Sequence, residues 1–426
     1  MPVPEPRHVI HDVFSRLQAC ALFAPGDELD RMLPRHIESH VQHGATLVEN
    51  RDYLLFDDLV LQPLLQDEHA ELAAVVRAVT GPQLCLDVRV MLGEVLADET
   101  VASEVVAQVL ADDQLAVAER RLALVALTKL RGARLAEALI QGALPHSEVA
   151  ILPAPAPNLL FARDLWAPVG DAIALGWPRH RARLRDGILS RAIVRHHPQF
   201  QGVRALDLRE FNADPEVCLE GGDVLNVGPQ LVLIGFGPRT TERAARLLAE
   251  RLPADVEVLG VRLPLRRATM HLDTLLTFVD RRAVLAYLPA FDRQSAAEER
   301  CDVMDLRTGV ALGCNLPALL ADRLAGLQVV PCGDGDPVAA PREQWTDGAN
   351  AVCLAPGRIV LYRRNTRTLR ALNRAGFEVL TPAQFVANSE LLLQGDRRLV
   401  VAVGGAELSR GRGGPRCLTL PVARAS

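Results

Sequence analysis

Three features of the sequence predict a mixed α/β fold: a ring of repeated ββα units interrupted by an all-helical insertion. A polar or acidic cluster followed by a hairpin, and usually then a helix, recurs along the second half of the chain. A stretch from 67 to 150, rich in Ala, Leu, Val, Glu and Arg, separates that half from the first 66 residues. Pro153, Pro155 and Pro157 end the stretch, because prolines at alternate positions cannot continue a helix.

Taken in order, the chain opens on a proline-rich segment, Met1 to Arg7, with no apolar signal core. Leu17 to Phe23 predicts a buried strand stopped by Pro25-Gly26, with a helix from Glu28. Tyr53 to Val60 reads as an apolar strand interrupted by Asp57 and Asp58, a pair that forms a solvated turn or lines a pocket. Glu71 to Val79, Glu104 to Leu110 and Leu115 to Leu130 carry high helix propensity and helical apolar spacing. They predict a helical insertion that packs and makes contacts between copies.

The repeat is clearest from Glu220-Gly221-Gly222-Asp223, through strands over 224–227 and 231–236, to a helix over 241–252. A second copy runs from His271-Leu272-Asp273 through strands over 275–279 and 284–288. A third runs from Asp347-Gly348-Ala349-Asn350 through strands over 352–355 and 359–362 to a helix over 366–375. Asn158 to Gly176 is a weaker fourth copy and Leu54 to Leu72 a fifth. Such units predict that the leading cluster of every copy converges on one central site.

Composition narrows the function. Over 426 residues, a formal charge of -5 and 4% aromatics argue against a general nucleic-acid binder, which needs a basic face or stacking rings. No apolar run reaches the roughly 18 residues that span a bilayer, so a soluble cytoplasmic protein is expected. Eight scattered cysteines without a Cys-x-x-Cys pair predict free thiols, neither a structural zinc site nor a disulfide framework.

The chemistry concentrates in Gly411-Arg412-Gly413-Gly414-Pro415-Arg416-Cys417. Arginines favour a thiolate, and glycines allow a backbone and a planar ligand to approach. A cysteine in a last strand also has the plainer explanation of a small core residue. Glu220-Gly-Gly-Asp223 alone is explained by a turn and His271 alone by a satisfied core histidine. Their combination with Asp164 and Asp273 puts two carboxylates, an imidazole and a thiol together, a set that suits a planar guanidinium cation. A Mg²⁺ or Ca²⁺ site is the weaker alternative, since each motif offers few oxygen ligands.

Asn158-Leu-Leu-Phe161-Ala-Arg163-Asp164, Glu220-Gly-Gly-Asp223, Met270-His271-Leu-Asp273-Thr274 and Gly411-Arg412-Gly-Gly-Pro-Arg-Cys417 resemble, in order, the motifs of the arginine deiminases, guanidine-modifying enzymes of the pentein superfamily. Phe56-Asp57-Asp58, His197-Pro198, Gly237-Pro238-Arg239-Thr240 and Tyr362-Arg-Arg-Asn365-Thr366 extend the resemblance over the chain from Leu17 onward.

The resemblance implies a five-bladed α/β propeller. Residues 1–66 form its first part, 67–150 the helical insertion and 151–426 the remainder. It implies Cys417 as nucleophile and His271 as general acid/base, with Asp164 and Asp273 holding the guanidinium and Glu220 supporting His271. Asn158, Arg183, Arg239 and Arg412 are implied contacts to the α-amino acid end, with Phe161 and Asp223 also lining the substrate. No cofactor or metal is implied. The expected reaction is hydrolysis of L-arginine to L-citrulline and ammonia through a covalent thiouronium, in a homo-oligomer. The alternatives are a deiminase or amidinotransferase acting on a modified arginine or other guanidino compound, and a non-catalytic binding protein.

Overall fold

A computed structural model describes residues 10–112, 115–147 and 149–425. The proline-rich start read from the sequence lies outside them. Among the described residues, five sheets of three or more strands share one pattern, an antiparallel hairpin whose second strand pairs in parallel with a third. In the first, Trp166–Val169 pairs antiparallel with Ala172–Leu175, which pairs parallel with Arg204–Leu206. In the second, Val224–Gly228, Leu231–Phe236 and Glu257–Arg262 do the same, with Asp302–Asp305 and Ala311–Gly313 added at the edge.

The third sheet is Leu276–Asp280, Ala283–Ala286 and Gln328–Pro331. The fourth pairs Val352–Ala355 with Arg358–Tyr362 and then Arg398–Val403, with Phe377–Leu380 outermost. A helix links the hairpin to its parallel strand in the first three, Leu184–His196, Glu242–Arg251 and Leu316–Arg323, while in the fourth Thr366–Arg374 leads into the outermost strand Phe377–Leu380 before the chain reaches Arg398–Val403. Parallel pairing demands such a crossover, which is why the hairpin and helix recur together.

The fifth sheet differs from the sequence reading. Leu54 to Leu72 does not form a hairpin: no residue of 53–60 is in a strand, Leu55 has a φ of 65°, and the helix Gln62–Thr80 follows. Its sheet is assembled from both ends of the chain, Leu420–Arg424 antiparallel to Leu17–Leu22, which runs parallel to Cys85–Asp87. A local pattern search cannot find a hairpin whose two strands lie about four hundred residues apart in sequence. The segment read as all helical therefore contains a strand, Cys85–Asp87, and the helix Gln62–Thr80 is the crossover of this fifth unit. The expected helix from Glu28 is replaced by turns over 27–31 and the short 3-10 helix Pro34–His36.

Helices Val88–Val95 and Glu99–Asp112 pack on Leu184–His196, joined by Val117–Leu127 and Gly132–Gln141. Arg89 ties this cluster to the N-terminal strand region by pairing with Glu28 at 2.7 Å and Glu137 at 2.6 Å. The largest apolar cluster runs from the fifth sheet, through Leu65 and Leu72, into these helices. Among the described residues, no helix is long and apolar enough to cross a membrane.

Candidate active site

Each sheet's first strand is preceded by a tight turn, and those turns carry the residues singled out in the sequence. Ala162–Asp164, Gly221–Asp223 and Leu272–Thr274 are 3-10 turns ahead of strands starting at Trp166, Val224 and Leu276. Asp347 and Asn350 precede Val352, and Cys417 precedes Leu420. Polar side chains in a turn satisfy backbone groups that neither ladder nor helix can take.

Here they satisfy those of the neighbouring turn. Gly222 donates its N–H to Asp164 Oδ1 at 3.0 Å, and Leu272 donates to Asp223 Oδ1 at 2.9 Å. Asn350 Nδ2 donates to the Asp273 carbonyl at 3.0 Å, and Cys417 N–H donates to Asn350 Oδ1 at 3.1 Å. Arg163 N–H then donates to the Cys417 carbonyl at 3.0 Å, returning to the turn that holds Asp164. The five turns thus form a closed circuit of hydrogen bonds.

Side chains cross the circuit. Glu220 Oε2 lies 2.8 Å from His271 Nε2 and accepts from Arg239 Nη1 at 3.1 Å. Asp164 Oδ1 is 3.7 Å from the same imidazole nitrogen. Arg239 also places Nη2 3.8 Å from the Met270 sulfur. Phe161 packs its ring 5.7 Å from that of Phe56, against Gly411 and Gly413. A Cβ on Gly413 would sit 2.4 Å from the Phe161 ring, so the glycine's need is for this close approach.

Burial and charge set the protonation states. Burial alone would lower the His271 imidazolium, but Asp164, the Glu220 hydrogen bond and Asp223 overcome it and raise its pKa to about 9. Burial would raise the Glu220 carboxyl, and Arg239, His271 and Arg183 hold it below the ordinary carboxylate range. The Cys417 thiol, 4% exposed, is pushed well up by burial and by Asp273, Asp164 and Asp347. At neutral pH the site therefore holds an imidazolium and an unionised thiol.

Two residues depart from their expected surroundings. Arg183 is fully buried, and its guanidinium is taken by the protein: Nη1 meets Asp164 at 2.5 Å and Glu220 at 3.5 Å, while Nε meets Asp186 at 3.1 Å. Nη2 donates to the Asn158 and Phe161 carbonyls. Arg412, with a φ of 69°, stacks 3.7 Å from the Trp345 ring and donates to its carbonyl at 2.5 Å. Its Nε and Nη2 are buried without a partner. Asn158 uses its amide on the Leu54 carbonyl at 2.8 Å.

The sequence reading omitted Asn350 from the site, although it ends the third repeat's polar cluster, one to three residues ahead of a strand like Asp164, Asp223 and Asp273. It also missed Asp186, which lies in a helix with no motif around it. Asp347 is buried, with a φ of 63° and its carboxyl pushed up to about 7 by burial. Of the two acids near the mouth, Asp57 pairs with Arg267 at 2.9 Å and Asp58 pairs on the surface with Arg410. A cavity of about 750 Å³ is lined by Phe56, Asp57, His180, Arg239, Arg267 and Met270, the last of them directly before His271 in the chain.

Among the described residues, Asp164, Glu220 and His271 have ligand atoms within 4.8 Å of one another, close enough to share a metal ion. Arg183 and Arg239 already supply positive charge to those carboxylates, so a cation there would meet two guanidinium groups. All eight cysteines are free thiols.

The sequence model of the arginine deiminase family matches residues 96–424. The arginine deiminase of Mycobacterium marinum is 35% identical over 434 residues, covering 96% of this chain and 96% of that protein. The chain belongs to the arginine deiminase family. The arginine deiminase of Limosilactobacillus fermentum is 28% identical over 442 residues, with 98% of each chain covered. Among solved structures, an amidinotransferase of the saxitoxin biosynthetic pathway from Microseira wollei superposes with a TM-score of 0.52 at 11% identity, over 99% of this chain and 98% of that one. At that identity the likeness speaks for the fold alone: this chain and that amidinotransferase share a pentein-type α/β architecture.

Replacing Asn350 by alanine strands the buried Cys417 N–H and the Asp273 carbonyl and leaves the Arg416 N–H only its 3.4 Å bond to the residue-350 carbonyl. At about 1–3 kcal/mol for each unsatisfied buried group, Asn350→Ala should lower the free energy of unfolding by several kcal/mol in a denaturant titration.

Proposed function

We propose that this protein hydrolyses L-arginine to L-citrulline and ammonia through a covalent Cys417 adduct, and that its five sheets are the blades of a propeller around this site. The observation that carries the reading is the meeting, on one circuit of turns, of a buried thiol, a carboxylate-bound imidazolium and two flanking aspartates. Membership of the arginine deiminase family supports it. Cytoplasmic location and homo-oligomeric assembly belong to the same reading; exposed Val117, Leu122 and Val125 on the helix Val117–Leu127 offer an apolar face for assembly.

In this mechanism the substrate guanidinium enters between Asp164 and Asp273 with its central carbon toward the Cys417 sulfur. Its charge offsets the aspartates that, with burial, hold the thiol up, so the thiol gives its proton to solvent only as substrate binds. Holding the reacting atoms in attack geometry can supply about 7–11 kcal/mol of the barrier. The thiolate forms an S–C bond as the C=N electron pair moves onto nitrogen. His271 gives its proton to the departing nitrogen, the C–N bond breaks and ammonia leaves, which keeps the carbon as a thiouronium cation.

The neutral imidazole then takes a proton from water, whose oxygen adds to that carbon. Collapse breaks the S–C bond, returns a proton to sulfur and releases the ureido product. Glu220 keeps the imidazole oriented and basic enough for both transfers. Arg239 and Arg412, with Asn158 and Phe161, receive the α-amino acid end, and Arg183 holds Asp164 in place from behind while Asp223 fixes the turn of His271.

An amidinotransferase reading is favoured by the shared fold alone. It predicts slow citrulline formation and, with added glycine or another amine, faster consumption of arginine as the amidino group passes to the amine and ornithine is released, whereas the deiminase does not respond. Incubation of purified protein with arginine should yield stoichiometric citrulline and ammonia, and Cys417→Ala and His271→Ala should each lower turnover by at least about 10³-fold. Full turnover by Cys417→Ala would end the covalent proposal.

The pH dependence has a defined sign. His271 must be protonated to release ammonia, so kcat should fall as pH rises through about 9. Glu220→Gln removes a contact that raises this pKa, and the alkaline limb of the kcat profile should move to lower pH. An unmoved limb would show that another group sets it.

A further inference from the structure

We infer that Arg416 is the positioning residue for Asp273, holding one carboxylate oxygen so that the other is left as an acceptor for a guanidinium. This deepens the proposed function and rests on it. Arg416 lies next to the nucleophile in sequence and is buried. Its Nη1 donates to Asp273 Oδ2 in a very short contact, and its Nη2 donates to the Val224 carbonyl at 3.1 Å. Its own backbone is pinned as well, the N–H to Asn350 Oδ1 at 3.0 Å and the carbonyl by Arg163 Nε at 3.2 Å. A guanidinium fixed on so many sides is a rigid fork.

The two aspartates of the site differ because of it. Asp164 has both oxygens engaged, Oδ1 by Gly222 and Oδ2 by Arg183. Asp273 is wholly buried, yet its Oδ1 has no partner. An unpaired oxygen of a buried carboxylate is an unusual expense unless a ligand completes it. Arg416 makes it tolerable by supplying the compensating charge from the far side.

The same arginine ties acid and nucleophile into one unit. Asn350 Oδ1 bonds the N–H groups of both Arg416 and Cys417, while its Nδ2 bonds the Asp273 carbonyl. The distance between the sulfur and the free carboxylate oxygen is thus set by residues 416, 417, 273 and 350 together. The charged and titratable groups facing Asp273 are Arg416, Arg163, Asp223, Asp347 and the Cys417 thiol.

The test compares wild type with Arg416→Met, Arg416→Lys, Asp273→Asn and the double variant Arg416→Met/Asp273→Asn. Losing Arg416 leaves Asp273 a buried carboxylate without its cation, a strongly destabilising arrangement. The Arg416→Met variant should therefore show a clear melting-temperature deficit against wild type. It should close when Asp273→Asn is added, and Arg416→Lys should recover part of it.

With arginine as substrate, Arg416→Met should raise KM about tenfold, the weight of one charge-assisted hydrogen bond, with a smaller change in kcat. A deficit that Asp273→Asn leaves open would overturn the assignment and make Arg416 a general packing residue. The melting comparison needs no turnover. Absence of citrulline from wild type would sink the deiminase reading alone, leaving the Arg416 question to be decided by the melts.

Discussion

The circuit of hydrogen bonds through the five turns is the constraint on which the rest depends. Each sheet could bury its apolar faces without it, but the leading turns would then have no fixed relation to one another. Asp164, Asp223, Asp273 and Asn350 reach across to the adjacent turn, and the Cys417 carbonyl closes the path on Arg163. Every one of these groups is buried, so each bond left unmade would cost the full desolvation of its donor or acceptor. The energy that orders the turns also sets the positions of the groups that do chemistry.

Concentrating so many charges in one buried site is tolerable only with near-complete pairing. Arg183 is shared by Asp164, Asp186 and Glu220, Arg239 pairs with Glu220, and Arg416 pairs with Asp273. What is left over is informative: one oxygen each of Asp273, Asp186, Asp223 and Asp347, two nitrogens of Arg412 and a thiol that burial and its acidic neighbours keep protonated. On the proposed mechanism, a cationic substrate with an anionic tail complements these leftovers and its arrival relieves the field on the sulfur, which ties activation of Cys417 to occupancy of the site.

Much of this was legible in the sequence because the repeat is local. Strands over 231–236 and 352–355 and the leading clusters at 220–223, 271–273 and 347–350 follow from hairpin and turn chemistry within short windows. The fifth unit was not legible, since its hairpin joins Leu17–Leu22 to Leu420–Arg424 and no short-range pattern records that pairing. Tyr53 to Val60 misled through its apolar composition: its carbonyls are taken by Asn158 and Arg267 side chains instead of a neighbouring strand. Among site residues, motif spacing marked Cys417, His271, Asp164, Asp273 and Glu220. The burial of Arg183 against three carboxylates and the pairing of Arg416 with Asp273 depend on tertiary contacts that spacing does not encode.

The central claim is that carbon is transferred to sulfur before water arrives. Rapid acid quench of a single turnover with arginine labelled in its guanidino carbon tests it most directly. The account predicts label transiently bound to the peptide containing Cys417, appearing with ammonia release and decaying as citrulline forms. Citrulline produced at the full rate with no label on that peptide at any time would contradict it.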